Sequence, residues 1–229
     1  MQTDHNRTFS AYNRFATYFP AGSTQAVRPG CYGRKVLGNL PLLLPPSARL
    51  QTQNNPKAAR LHSAAAYLFS IGMSAPKLII VVCTANVCRS PMAEALLRHA
   101  LRAEPEPLRS CKVISAGVAA RPGEKMSENS RTALSKVGLR IDEHLSRLLD
   151  SQLADQADLI LCMTESHRAV IQLALNPAPD KIYLWRDFMP GNTDREIGDP
   201  FGGSIREYEA CRDEMVDALP SLLAHLRSL

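Results

Sequence analysis

The chain has 229 residues, of which 45% are hydrophobic, and its formal net charge is +5. This length allows one domain of ordinary size with residues to spare, and no apolar run reaches the 18 residues that a membrane-spanning helix needs. The six cysteines are irregularly spaced, so they do not suggest a disulfide scaffold. They favour a reducing compartment, and we expect a cytoplasmic protein that does not act on membranes.

Charge divides the chain into two parts. Residues 1–72 carry eight Lys or Arg and one acid, a net charge of +7, whereas residues 73–229 carry 19 bases and 21 acids, a net charge of −2. The basic character therefore belongs to the first third, and we do not expect the folded part to bind nucleic acid. The sequence leaves the oligomeric state open.

The first part, residues 1–72, contains six prolines and no sustained helical or strand period, which predicts a disordered or non-native extension. Three explanations stay open. The segment bears Arg and Ser and almost no acids, as organelle transit segments do. It also fits a flexible tail, or sequence upstream of the true start, because Met73 opens a stretch that reads well as an N-terminus. We favour the last two explanations and assign residues 73–229 to the functional domain.

The second part alternates between strand and helix patterns. The first predicted strand, 77–82 (KLIIVV), is apolar on both faces, as strands of parallel sheets are. Strands are also predicted at 111–115, 158–163 and 181–185. Alternating strands and helices predict an α/β fold with a doubly wound, four-stranded parallel sheet and helices on both faces.

Capping signals set the expected helix boundaries. Ser90 and Pro91 predict an N-cap followed by the first helical residue. The second helix is expected over 127–137, before Gly138. Thr164 is the expected cap of a helix over 164–175. Ser204 and Glu207 form a predicted capping box for the last helix, in which Pro220 is expected to introduce a kink.

The turn after the first strand, in "VVCTANVCRSP" (81–91), concentrates reactive side chains. Ligands of such folds bind outside the carboxyl end of a strand, where backbone N–H groups and the helix dipole favour an anion. Arg89 follows Cys83 by six positions, so a loop of this size can surround one tetrahedral oxyanion that the guanidinium grips at two oxygens. The same positive environment favours the thiolate of Cys83, a nucleophile for phosphoryl transfer.

Simpler explanations exist for these cysteines. Cys83 could be an ordinary buried cysteine at a strand end, but Arg89 at this spacing and the following helix start argue against that. For Cys88 two explanations stay open, core packing or a disulfide with Cys83 under oxidation. Metal binding by the pair is disfavoured, because the spacing is not the usual short one and no second pair is present.

The segment "VCTANVCRSPMAEALL" resembles the phosphate loop of the low-molecular-weight protein tyrosine phosphatases. The Asp-Pro of "GDPFGGS" (198–204) matches the other fingerprint of that family, and "SAGV" (115–118), "HLSRLL" (144–149) and "ADLILCMTESHR" (157–168) are similar as well. The resemblance covers about residues 77 to 229. It implies a phosphatase that acts on phosphorylated proteins without cofactor or metal.

The resemblance also implies a role for each matching residue. Cys83 would attack phosphorus and become a phosphocysteine, while Arg89 and the loop amides hold the equatorial oxygens. Asp199 would protonate the leaving group and then activate water, with Ser90 hydrogen-bonded to the thiolate. The candidate substrate-binding residues are Thr84, Ala85, Asn86, Val87, Cys88, Ser90 and Phe201. Asn86 would also hold the loop in shape together with Ser115 and His144.

Two departures from the family bear on loop geometry and substrate. Ala85 stands where the family usually has Gly, so it would be strained if that position needs a positive φ. Val87 is aliphatic, as in tyrosine phosphatases of this family, whereas the bacterial protein arginine phosphatases have Thr there. Yet Phe201 and the sequence around it look closer to the arginine-phosphatase branch.

These observations predict a cysteine-dependent phosphatase that hydrolyses phosphotyrosine, with protein arginine phosphatase as the close alternative. A thiol-coupled arsenate reductase needs a further cysteine pair. Cys162 could begin one, but Ala occupies position 169 and the next cysteine is Cys211. A non-catalytic phosphate-binding module is disfavoured because Cys83, Arg89 and Asp199 are all present.

Overall fold

The protein is described here from a computed structural model that covers residues 76, 78–141, 143–175, 179–191 and 193–229. The predictions for residues 1–72 and for a start at Met73 lie outside the described residues. Within them, no helix is both long enough and apolar enough to cross a membrane.

A four-stranded parallel sheet forms the centre of the domain, in the strand order β2-β1-β3-β4. The fold prediction is confirmed. The strands are β1 Leu78–Cys83, β2 Lys112–Gly117, β3 Leu159–Cys162 and β4 Ile182–Leu184. The α-helices are α1 Arg89–Arg102, α2 Glu128–Ser135, α3 Ser151–Gln156, α4 Glu165–Leu175 and α5 Ile205–Ser228.

Both faces of the sheet are buried, because side chains of β1 point alternately to two hydrophobic clusters. Ile79 and Val81 join the cluster that also contains apolar residues of α1, α2 and α5. Ile80 and Val82 join the opposite cluster, which includes Ala154 of α3 and residues of α4. The four β1 side chains are fully buried, and each such burial contributes roughly 1.5–3 kcal/mol. This explains the continuous apolar run of β1.

The capping predictions have mixed outcomes. Ser127 caps α2 by accepting a hydrogen bond from Ser130 N–H at 3.2 Å, and the capping box of Ser204 and Glu207 is present. The N-cap prediction for Ser90 is wrong. Helix α1 begins at Arg89 with Cys88 as its cap residue and no side-chain cap, because the Ser90 hydroxyl is engaged inside the preceding loop.

Helix α3 was absent from the sequence predictions. It has only six residues, too few to show an apolar period, and its start is fixed by Asp150, whose carboxylate accepts from Leu153 N–H at 2.8 Å. Helix α5 runs without a break through Pro220. Its buried residues include Tyr208, Cys211 and Met215.

Parallel pairing brings the carboxyl ends of β1, β2 and β3 to one edge of the sheet. Cys83 at the end of β1 pairs with Gly117 of β2, and Val82 pairs with Cys162 of β3. The loop that follows Cys83 therefore lies between the segments that follow β2 and β3. This is the position at which strand order reverses and where such sheets bind ligands.

Gly117 allows that loop to approach the end of β2. A Cβ atom at this position would lie 2.4 Å from the carbonyl oxygen of Thr84 and 2.9 Å from the backbone nitrogen of Asn86. Both are backbone atoms, so a side chain at 117 can be accommodated only if the loop moves.

We expect Gly117→Ala to displace the loop at residues 84–88 and to lower the free energy of unfolding by about 1–3 kcal/mol, as overpacking does. Chemical denaturation and the NMR shifts of the loop amides measure the two effects. Gly138→Ala is the control, because Gly138 has a φ of +79° in open space. It should cost about 1 kcal/mol through backbone strain and leave the loop amides unchanged. Unchanged loop amides in Gly117→Ala would contradict the steric account.

Candidate active site

The loop at residues 84–88 turns its carbonyl groups outward. The Cys83 and Thr84 carbonyls accept from the N–H groups of residues 118 and 119 at 3.0 and 2.9 Å, and the Val87 carbonyl accepts from Ser127 N–H at 2.8 Å. A peptide unit whose carbonyl points outward turns its N–H group toward the inside of the loop. The loop is thus a concave set of donors at the start of α1, an arrangement suited to an anion.

Asn86 gives the loop its curvature. Its φ is +59°, the only positive φ of a described non-glycine residue, and Asn adopts this conformation more readily than most residues. The strain expected at Ala85 is therefore absent, because the left-handed residue is the next one along the chain.

The side chain of Asn86 is fully buried and uses all its hydrogen-bonding groups. Its Nδ2 donates to Ser90 Oγ at 2.9 Å and to Ser115 Oγ at 2.8 Å, and its Oδ1 accepts from Arg147 N–H at 2.9 Å. The Asn86 carbonyl lies 2.7 Å from Nε2 of His144. Ser115 in turn donates to Glu94 at 2.6 Å.

Cys83 is buried, and its Sγ lies 3.1 Å from the hydroxyl of Ser90. Because Ser90 Oγ accepts from Asn86, its own hydrogen can point to Cys83 Sγ or to the carbonyl of Ala116 at 3.2 Å. A hydroxyl donor in this position stabilises a thiolate. The contact also explains why Ser90 does not cap α1.

Arg89 faces the same loop and is 4% exposed. Its Nη1 donates to the Ile197 carbonyl at 3.2 Å, and its Nη2 donates to Asp199 and, at 3.4 Å, to Thr84 Oγ1. Its Nε is buried and has no hydrogen-bond partner among the described residues. A buried donor of this kind is costly unless a ligand satisfies it.

Asp199 reaches Arg89 from the segment between β4 and α5. Its side chain is 46% exposed, and its Oδ1 accepts from Phe201 N–H at 3.2 Å. One carboxylate oxygen of Asp199 therefore contacts Nη2 of Arg89, while the other accepts a backbone hydrogen bond.

A cleft of about 230 Å³ opens over the loop. Cys83, Arg89 and Asp199 line it together with Thr84, Ala85, Val87, Cys88 and Phe201. The structure thus brings together most residues that the sequence predicted for the site. Asn86 and Ser90 are fully buried and do not line the cleft, and their side chains bond to residues of the loop and its surroundings. Phe201 is 76% exposed at the mouth.

Two residues at the site were missed by sequence reasoning. His167, on the first turn of α4, lies with its Nε2 2.9 Å from Thr84 Oγ1. Tyr208, on α5, places its hydroxyl 3.4 Å from Cys88 Sγ, and burial raises its pKa to about 12. The position of His167 just after β3 could have indicated its place at the site, because parallel pairing brings the carboxyl ends of β1 and β3 next to each other. Nothing local in the sequence indicated Tyr208.

Among the described cysteines, Cys162 and Cys211 are the two considered for the thiol pair of an arsenate reductase. Cys162 is fully buried in β3, and burial raises the pKa of its thiol to about 12. It belongs to the hydrophobic cluster on one face of the sheet, whereas Cys211 belongs to the cluster on the other face. The sheet therefore separates Cys162 from Cys211, and these two thiols do not form the pair that an arsenate reductase would need. The described residues also include no group of three His, Cys, Asp or Glu side chains arranged to hold a metal ion.

Two proteins with similar sequences are described as phosphatases. The chain is 39% identical over 149 residues to a protein-arginine-phosphatase of Bacillus subtilis (strain 168), an alignment that covers 65% of this chain and 96% of the relative. It is 31% identical over 154 residues to a probable low molecular weight protein-tyrosine-phosphatase of Ralstonia nicotianae, covering 67% of this chain and 98% of the relative.

A solved structure with the same fold is that of a mutant arginine phosphatase in which serine replaces cysteine and the active-site serine is phosphorylated. It superposes with a TM-score of 0.58 at 35% identity, over 66% of this chain and 95% of the other. The family described as low molecular weight phosphotyrosine protein phosphatase matches residues 78–228. The chain belongs to this family and is a phosphatase.

Proposed function

We propose that this phosphatase hydrolyses phosphotyrosine in proteins through a phosphocysteine formed on Cys83. The observation that carries the proposal is the buried Arg89 Nε, a donor without a described partner, beside a loop whose carbonyl groups are bonded on its outer side. A phosphoryl group in the cleft would satisfy this donor and present its phosphorus to the sulfur.

The first step is attack by Cys83. The sulfur forms a bond to phosphorus as the bond from phosphorus to the leaving oxygen breaks, and the negative charge on the phosphoryl oxygens is stabilised by Arg89 and the loop amides. The Ser90 hydroxyl, 3.1 Å from the sulfur, stabilises the thiolate before attack and again when it departs.

Asp199 supplies the proton for the leaving oxygen. In the free enzyme it pairs with Arg89, so we infer that the dianionic phosphoryl group replaces the carboxylate at the guanidinium. Asp199 is then released from its cation, and it can take up a proton and donate it to the leaving group. In the second step it accepts a proton from the water that hydrolyses the phosphocysteine.

Phosphotyrosine is favoured by the walls of the cleft. Val87 presents only methyl groups, and the Phe201 ring stands largely exposed at the mouth. Both surfaces suit a flat aromatic ring, because burial of the ring and its contact with another ring contribute favourable binding free energy.

Phosphoarginine is the second candidate. It is favoured by the relative at 39% identity, which is a protein-arginine-phosphatase. The cleft also holds one hydroxyl, that of Thr84, which could interact with a polar guanidinium leaving group although Val87 cannot.

A reducing compartment such as the cytoplasm fits this chemistry, because the nucleophilic sulfur of Cys83 must stay reduced. The described cysteines are all free thiols. We therefore propose that the enzyme meets its phosphorylated protein substrates there.

Cys83→Ser should reduce turnover of an aryl phosphate by about 10⁴-fold or more, as loss of a nucleophile does in other hydrolases. The affinity of the substituted enzyme for inorganic phosphate should change far less, because Arg89 and the loop amides remain. Steady-state kinetics and phosphate binding by calorimetry measure both. The control is Cys111→Ser, a thiol outside the cleft, which should behave as wild type. Near-normal turnover by Cys83→Ser would exclude the covalent mechanism.

Asp199→Ala should discriminate between substrates by their leaving groups. An acidic phenol leaves as its phenolate without needing a proton, so turnover of aryl phosphates that carry such a leaving group should fall modestly. Poor leaving groups should lose on the order of 10²–10⁴-fold, because they need the proton. A plot of log kcat/KM against leaving-group pKa should therefore become steeper than for wild type. Parallel plots would remove Asp199 from the acid role.

Val87→Thr should raise the ratio of phosphoarginine to phosphotyrosine turnover by an amount equivalent to roughly 1–3 kcal/mol, since one polar contact is gained in the pocket. Val87→Ile keeps an apolar wall and is the matched control. The two phosphopeptides are compared by kcat/KM under identical conditions. If wild type already prefers phosphoarginine strongly and the Thr variant changes nothing, phosphoarginine becomes the first candidate substrate.

A further inference from the structure

His167 contacts both the loop that follows β1 and the residues that follow β3. It lies in the first turn of α4, directly after β3, and it is 5% exposed. Both ring nitrogens meet a threonine hydroxyl. Nδ1 lies 2.8 Å from Thr164 Oγ1, and Nε2 lies 2.9 Å from Thr84 Oγ1.

The ring is neutral at physiological pH, because burial and the nearby Arg89 cation lower its pKa to about 4. A neutral imidazole donates from one nitrogen and accepts at the other. A threonine hydroxyl can match either role, so both contacts can be made in both tautomers. His167 therefore fixes the rotamer of Thr84, an otherwise exposed side chain on the rim of the cleft.

Thr84 Oγ1 is at the same time an acceptor for Arg89. Among the described residues, the guanidinium has three acceptors: the Ile197 carbonyl for Nη1, and Asp199 and Thr84 for Nη2. Once a phosphoryl group has displaced Asp199, Thr84 is the protein acceptor that still bonds to Nη2 of the Arg89 guanidinium.

We propose that His167 is a positioning residue that acts through Thr84 to hold Arg89 in the plane that receives the phosphoryl group. The inference rests on the proposed function of the same cleft. The physical reason is that Arg grips an oxyanion through two donors in a fixed geometry, so a rotation of the guanidinium weakens both contacts at once. A residue on α4 thereby influences a reaction on the loop after β1.

The alternative is that His167 only stabilises the start of α4, where Thr164 accepts from its N–H at 3.4 Å. The two roles differ in their coupling to Thr84. A positioning role makes the effects of the two side chains dependent on each other, whereas a local role in α4 makes them independent.

The test compares Thr84→Val and His167→Leu, which remove the polar groups, with Thr84→Ser and His167→Gln, which keep a hydroxyl and a side-chain donor. We expect the first two to lower kcat/KM for an aryl phosphate by roughly 5- to 100-fold, as displacement of a catalytic group does. The inhibition constant of inorganic phosphate should rise in the same variants. Thr84→Ser and His167→Gln should recover most of the activity and phosphate affinity that Thr84→Val and His167→Leu lose, because the polar contact between positions 84 and 167 is kept.

The double variant Thr84→Val/His167→Leu decides the coupling. If His167 acts through Thr84, the double variant loses no more than Thr84→Val alone. The loss should also be equal for good and poor leaving groups, because the phosphoryl group and not the leaving oxygen is affected. Multiplying losses in the double variant, or unchanged phosphate inhibition in both single variants, would overturn the proposal.

Two further outcomes are distinguishable from these. His167→Leu leaves two hydroxyls without a partner and can lower the unfolding temperature, but Thr84→Val alters an exposed residue and tests the same contact in a folded protein. If His167→Leu lowers the unfolding temperature while phosphate inhibition and kcat/KM stay at wild-type values, the role is confined to α4 and the proposal is wrong. Failure of the proposed function itself would appear elsewhere, as wild-type levels of turnover in Cys83→Ser.

Discussion

The buried amide of Asn86 holds together the loop on which every proposed step takes place. Its left-handed backbone turns the chain, and its side chain connects the loop to Ser90, Ser115 and the backbone of Arg147. The bonds to Ser90 and Ser115 are buried and the bond to Arg147 is partly buried. An unsatisfied polar group away from water is costly, so loss of one partner would destabilise the others. The outward carbonyls and inward N–H groups of the loop follow from this arrangement.

The sheet determines where that loop can be. Because β1 is buried on both faces and pairs in parallel with β2 and β3, its carboxyl end cannot shift without disturbing two hydrophobic clusters. Gly117 permits the close approach of the loop to β2, and His167 contacts it from the end of β3. The concave donor surface is thus supported on two sides by rigid elements, which is what preorganised electrostatic stabilisation requires.

Arg89 connects this fixed loop to the segment that carries Asp199. In the free enzyme the two charges form an ion pair, and in the mechanism that we propose the phosphoryl group takes the place of the Asp199 carboxylate. Replacement of one anion by another at the same cation costs less than desolvating a bare guanidinium would. In the mechanism that we propose, this exchange also couples binding to catalysis, because a substrate bound at Arg89 would free Asp199 to act as the acid.

The sequence alone determined the strands, their parallel arrangement, and the spacing of Cys83 and Arg89, because these features follow from local apolar patterns and from one short motif. Asp199 was found through its Asp-Pro motif and the family resemblance. The tertiary structure decided what depends on partners distant in the chain. Asn86 rather than Ala85 takes the positive φ, Ser90 turns to Cys83 instead of capping α1, and His167 meets Thr84 across 83 positions of sequence. No local propensity encodes such contacts, since they exist only when parallel strands bring their carboxyl ends to the same edge of the sheet.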